Sequence, residues 1–143
     1  MTNSVHIKVL EQGVEAWNRW REENPLGTPD LRDAYLSNRN LQGINLSRGE
    51  WRANLIGANL SYADLTGANL REASLNLAEL TGIKLNQADL RGAELLDSTL
   101  HFADLSGADC RDANFCGLML VNTIFPCSSK HMNLRLPIWT RHI

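Results

Sequence analysis

The chain counts in fives. From Ala53 to Cys127 it divides into fifteen consecutive five-residue units, centred on Leu55, Leu60, Leu65 and onward to Phe125. Four earlier units centre on Leu31, Leu36, Leu41 and Leu46, and a shortened unit, GEWR around Trp51, brings the total to twenty. Such a tandem period limits the possible architectures more than any other feature of the chain. In most units the residue two before the centre is small, usually Ala, the one before is Asn, Asp or Glu, and Gly recurs two after. A period of five matches neither a helix at 3.6 nor a strand at 2. It fits a chain that turns a corner every five residues. The centre and the small residue two before it then share an inward face, and the Gly or polar residue makes the turn.

The units ADLTG, ANLSY, ADLRG and ADLSG follow an A(D/N)LxG pattern that resembles the pentapeptide-repeat family, over about two-thirds of the chain. The resemblance implies an all-β solenoid, a right-handed quadrilateral β-helix of about five coils with four units each. At ~4.8 Å per coil the stack would be roughly 24 Å long. A stack of this kind needs capped ends. Residues 1–28 are expected to cap the first coil through an α-helix with Ile7, Leu10, Val14 and Trp17 at helical spacing and Gly13, Ala16 and Trp20 widening the stripe. The helix is expected to stop at Asn24-Pro25. Residues 29–127 form the repeats. Residues 128–143, in which Leu134, Leu136 and Ile138 alternate, are expected to cap the far end.

Four units per coil place every outward residue on a side. One side, centred on Leu31, Trp51, Leu70, Leu90 and Cys110, carries Arg32, Arg52, Arg71, Arg91 and Arg111 in a single column, flanked by carboxylates and by Asn69. This column is either a solvated ion-pair ladder or a docking strip for a partner's carboxylates or phosphates. The next side brings Tyr35, Ile56, Leu77 and Leu96 to outward or corner positions as an apolar column, which suits a homodimer or another protein unless the helix or tail covers it. The dropped residue after Trp51 is expected to tighten a corner, with Trp51 inward, Gly49 making room for it, and the arginine column unbroken.

Composition excludes more than it selects. With a formal charge of −2 and 21% charged residues the chain is no nucleic-acid-binding polycation. The N-terminus lacks a secretory pattern and no eighteen-residue apolar run occurs, so a cytoplasmic protein off the membrane is expected. Cys110, Cys116 and Cys127 read as reduced thiols, and Cys127 with His131 is a weak zinc cue because two further ligands are missing. No nucleophile–base pair or phosphate-binding loop is evident. The expectation is a non-enzymatic, cofactor-free scaffold or adaptor that binds a macromolecule, presumably protein, through a flat solenoid face. The resemblance also implies an alternative, a DNA-mimicking modulator of DNA gyrase, because some members of the family inhibit or protect that enzyme. The repeat region, with eight basic and twelve acidic residues, has net charge −4, but the arginine column interrupts a continuous phosphate-like surface and stands against this reading. A structural protein without a dedicated partner is the third reading.

Overall fold

The computed structural model describes residues 4–47 and 53–125. Two helices come first: α1, Ser4–Glu11, and α2, Val14–Glu23. The apolar spacing from Ile7 to Trp17 predicts one continuous helix, but Gly13 interrupts it with φ 104° and ψ 171°. That conformation is open only to glycine, so the chain bends there. Asn24 ends α2 by directing both its backbone N–H and its side-chain amide to the Trp20 carbonyl.

From Asp30 onward each unit repeats one set of backbone moves. The centre's carbonyl accepts the N–H three residues on, as Leu31 does from Ala34, Leu55 from Ala58 and Leu70 from Ala73. The residue two after the centre has positive φ, between 51° and 74°, at every described corner. Gly takes this conformation freely, whereas Asp33, Tyr62, Leu77 and Phe102 adopt it against their own preference. With a turn in every unit, only the residue before the centre lies straight enough to pair, and it forms a single parallel bridge to the next turn of the chain.

This overturns the expected fold class. Among the described residues there are two short helices and no β-strand, so the all-β solenoid, the right-handed quadrilateral β-helix, is not what the chain forms. A strand needs consecutive bridged residues, and a corner every five leaves one bridge per unit. The resulting stack of turns is joined by isolated bridges and by the hydrogen bonds around them, such as Leu55 N–H to Ser74 O and Asn59 N–H to Ala34 O, at 2.8 and 2.9 Å.

The bridges also fix a register that differs from the expected one. Beyond Asn54 the partners are 20 residues apart, as in Asn54 to Ser74 and Asn69 to Asp89. Asp30 pairs instead with Asn54 and Asn45 with Asn69, 24 residues apart. Leu31 therefore stacks on Leu55 and Leu46 on Leu70, and the centres Leu46 and Leu55 occupy adjacent sides. The turn that contains the shortened unit is thus four residues longer than those that follow. Gly49 and Trp51 themselves lie outside the described residues, as does the C-terminal segment from residue 126.

Inside, the Leu centres and the small residues are buried almost without exception. Each fully buried Leu side chain stabilises the fold by roughly 1.5–3 kcal/mol relative to exposure. Where the small position carries something else, the packing adjusts. Ser98 is fully buried and donates its hydroxyl to the Leu75 carbonyl at 2.7 Å.

The first turn has no preceding turn to satisfy its backbone, and the helices supply substitutes. His6 Nδ1 accepts the Asp30 N–H, and Asn18 Oδ1 accepts the Asn45 N–H. Trp17 Nε1 donates to the Asn45 carbonyl at 2.8 Å, and Arg21 spans the carbonyls of Gly27 and Ser47 at 2.7 and 2.9 Å. Trp17 is fully buried, with Trp20 and His6 against its ring.

Candidate functional site

Bridges from Asn69 to Asp89 and from Asp89 to Asp109 hold three successive turns in register, which aligns Arg71, Arg91 and Arg111, each two residues further on. Their backbones stand ~4.8 Å apart along the stack, which brings like charges near enough to repel unless neutralised. Neutralisation is local. Arg91 clamps Asp89 with Nε at 2.8 Å and Nη2 at 2.5 Å, and Arg111 clamps Asp109 with Nε at 2.9 Å and Nη2 at 2.6 Å. Arg91 also reaches Asp109 at 3.6 Å, linking two turns.

The fork geometry keeps these carboxylates ionised. Hydrogen bonding from Arg111 holds Asp109 down at about 2, and the Arg91 hydrogen bond lowers Asp89. The arginines respond in the opposite direction, raised by the same contacts. Arg71 departs from the pattern. The residue before its centre is Asn69, whose Oδ1 accepts the Arg71 backbone N–H at 3.3 Å. The Arg71 side chain is exposed and has no clamp of its own, and its charge helps to lower the Asp89 carboxyl on the next turn.

The same three arginines, with Glu72, Gly92 and Asp112, line a groove of about 480 Å³. Glu72, Gly92 and Asp112 are the corner residues of successive turns, and the missing side chain at Gly92 opens the notch between the two carboxylates. A Cβ at Gly92 would stand 3.1 Å from Glu72 Cγ. The flat solenoid face expected to receive a partner is therefore corrected on two counts: no strand builds it, and its arginines border an indentation.

The other expected site residues are placed differently. Arg32 is not in this column; the hydrogen bond from Asp33 N–H to Ile56 O stacks it over Ile56, where it clamps Asp30 at 2.9 and 2.8 Å. Arg52 lies outside the described residues. Ile56 and Leu96 do share a column, but Asn76 stands between them and accepts the Leu96 N–H on its side-chain oxygen. Leu77 projects from the neighbouring corner, 61% exposed, and Tyr35, 75% exposed, is on another side beside α1. The four do not form one apolar column. Spacing alone did not reveal that the residues before the centres of this column are Asn45, Asn69, Asp89 and Asp109, so that the clamps begin only at Arg91. An exposed aromatic pair, Tyr62 and Phe102, also emerges, with the Tyr62 ring lying over the corner at Gly82.

Burial pushes the Cys110 thiol up to about 12, with the Asp109 charge adding to the shift, so this cysteine stays protonated. Cys116 is half-buried and free, and Cys127 with His131 lies outside the described residues. Among the described residues no cluster of His, Cys, Asp or Glu is arranged to hold a metal, and no helix is long and apolar enough to cross a membrane.

Comparison with known proteins follows the same lines. HetL, a pentapeptide repeat protein involved in heterocyst differentiation regulation in the cyanobacterium Nostoc sp. strain PCC 7120, is 31% identical over 67% of this chain, with a TM-score of 0.55. The chain spans about half of HetL, 53% of its length. AT2G44920, a pentapeptide repeat protein of the Arabidopsis thaliana thylakoid lumen, is 30% identical over 59% of this chain and 67% of its own, with a TM-score of 0.41. Trypsin-treated QnrB1, a plasmid-mediated fluoroquinolone resistance protein, is 20% identical over 77% of this chain and 59% of its own, with a TM-score of 0.46. No sequence among the curated proteins matches the chain. The family profile described as pentapeptide repeats matches eight copies across residues 53–92 and 93–125, about half of the chain, which belongs to the pentapeptide-repeat family.

Proposed function

We propose that this protein is a non-catalytic binding module that engages a protein partner in the cytoplasm through the arginine-lined groove. The observation that carries the reading is the groove itself, which brings Arg71, Arg91 and Arg111 to one solvent-open edge with Glu72 and Asp112. Guanidinium forks at fixed spacing suit recognition of planar anionic groups, and alternating charge along the edge suits selection of one protein surface over others. The test is recovery of partners from a native lysate with wild-type protein, an Arg71→Ser/Arg91→Ser/Arg111→Ser variant and an Ile56→Ser/Leu96→Ser variant. A partner lost with the first variant and retained with the second supports the groove. Equal recovery by all three removes it. Self-association through Ile56, Leu77 and Leu96 predicts a dimer that Leu77→Ser/Leu96→Ser dissociates in sedimentation.

The alternative, a nucleic-acid-mimicking modulator of DNA gyrase, draws its support from the acidic surplus of the repeat region, twelve carboxylates to eight basic groups. Hydrogen bonds from Ser106 and Asn86 also lower the Asp104 carboxyl, so this charge persists in mild acid. A supercoiling assay with purified gyrase separates the two readings. Inhibition or protection at micromolar protein favours the mimic, and no effect ends it.

A further inference from the structure

On the side of the stack opposite the arginine groove, the corners carry residues that suit them badly. The side bridged through Asn59, Glu79, Thr99 and Met119 is bounded by two columns of corner residues. Gly57, Leu77, Asp97 and Gly117 form one edge, and Tyr62, Gly82, Phe102 and Asn122 the other. A corner has left-handed backbone, which Gly and Asn adopt most readily and bulky side chains resist. Tyr62, Leu77 and Phe102 nevertheless hold it, with φ of 59°, 60° and 58°, and they are 61%, 61% and 58% exposed. They are the large apolar residues among the described corners, and all three border this one side. Backbone preference and exposure both count against them, so folding alone does not account for their presence.

The two rings are also in register. Tyr62 N–H bonds to Thr81 O and Gly82 N–H to His101 O, so Tyr62, Gly82 and Phe102 are on successive turns. The backbones at Tyr62 and Phe102 therefore stand ~9.6 Å apart, and Gly82 leaves the room that the Tyr62 ring takes between them. A polyproline II segment rises ~9.3 Å in three residues and returns every third side chain to one face. On the intermediate turn Glu79 is exposed at the middle of the side, where it accepts the Asn59 amide at 2.6 Å. Lys84, on the adjoining side, is turned to Asp64 at 3.7 Å. We propose that this edge binds a proline-rich segment of a partner protein, with prolines three residues apart on Tyr62 and Phe102 and a basic residue between them reaching Glu79. Exposed aromatic rings suit such a segment, because it is already extended and loses little freedom on binding. Charge complementarity selects the basic residue: Glu79, and Asp104 two residues beyond Phe102, attract a cation and oppose an acidic ligand. A neutral oligosaccharide can also lie on aromatic rings, but it gains nothing from these charges.

The probe is a peptide of three Pro-Ala-Arg repeats, titrated into the full chain and followed through the ring signals of Tyr62 and Phe102. Both sets of signals are expected to move together, and the peptide to bind more tightly than three Gly-Ala-Arg repeats, three Pro-Ala-Glu repeats or cellohexaose. Tyr62→Asn and Phe102→Asn are each expected to weaken binding about fivefold to tenfold, the scale of one aromatic contact. The fold should stay intact by circular dichroism, because Asn38 and Asn122 already hold the same corner on the outer turns. Glu79→Gln should narrow the preference for Pro-Ala-Arg over Pro-Ala-Glu. Gln87→Asn, a similar exchange at another corner, leaves affinity unchanged. Phe102→Asn/Asn122→Phe sets the rings three turns apart and should bind as weakly as Phe102→Asn alone. Equal affinity for the Pro-Ala-Arg and Gly-Ala-Arg peptides overturns the proposal, as does wild-type affinity in both single ring variants. Recovery of binding in the displaced-ring variant overturns the register, and tighter binding of cellohexaose would make the edge a glycan site instead.

Discussion

The middle turns and the first turn solve one problem by different means. In the middle, each turn completes the hydrogen bonding of its neighbour mostly by repetition of backbone bonds, Leu70 N–H to Asp89 O and Asp89 N–H to Ala68 O, with single side chains such as Asn76 and Ser98 adding to them. The first turn has a neighbour on one side only, and there His6, Trp17, Asn18 and Arg21 stand in for the absent backbone. Periodic sequence is sufficient in the interior of a stack, whereas an end requires particular residues at particular places. Substitutions at the end should therefore remove polar satisfaction as well as packing, and those in the middle mostly packing.

The strongest test is Trp17→Ala, which empties a fully buried site and leaves the Asn45 carbonyl without its donor. A loss of about 4 kcal/mol is expected in urea unfolding, and a loss below about 1 kcal/mol would show that the stack does not need its helical end. Leu85→Ala in a middle turn removes packing alone and should cost about 3 kcal/mol; if it costs more than Trp17→Ala, the contrast between end and middle collapses. Gly82→Ala places a Cβ 2.5 Å from the Tyr62 ring at a corner with φ 64°, for an expected loss of about 1–2 kcal/mol. Double substitution with Tyr62→Ala should recover the steric part of that loss. Asn18→Ala removes the acceptor for Asn45 N–H and the donor to Gly43 O, at about 1 kcal/mol because both groups can reach water.

The smallest effect is electrostatic and confined to acid. The Asp109 carboxyl is held at about 2 when folded, against about 3.9 in an unfolded chain. Its lowered value means that the contribution is fully present above about pH 4 and lost as pH falls through 2. Unfolding midpoints followed from pH 5 to 2 should fall slightly less steeply for Asp109→Asn than for wild type. Identical slopes would mean that the exposed clamp adds nothing to stability.

Much of the inside was legible in the sequence, because burial follows the repeat directly: a large centre with a small residue two before it is what a narrow interior demands. The pairing was less legible. Extended chain was inferred from the shared face of positions two apart, but the corner in every unit limits each to one bridge. The 20- and 19-residue spacings from Arg32 through Arg52 to Arg71 suggested one continuous column, and spacing alone cannot reveal which turn a backbone bonds to. The hydrogen bonds settle it, with Arg32 over Ile56. In the helical region the apolar stripe runs past Gly13 without a break, so only the backbone conformation exposes the bend. Asn69 was visible as a residue, but that it stands between Asn45 and Asp89 in one column comes only from the pairing.

The 24-residue first turn has a consequence for how such a chain can change over time. Pairing on either side of it is intact, Asn45 with Asn69 and Asn54 with Ser74, although this turn is four residues longer than those that follow. What the stack conserves is the number of sides, and the number of residues is free to vary at a corner. A corner can thus gain sequence without disturbing the turns beyond it, and the passage between Leu46 and Leu55 is the natural place to graft a foreign loop.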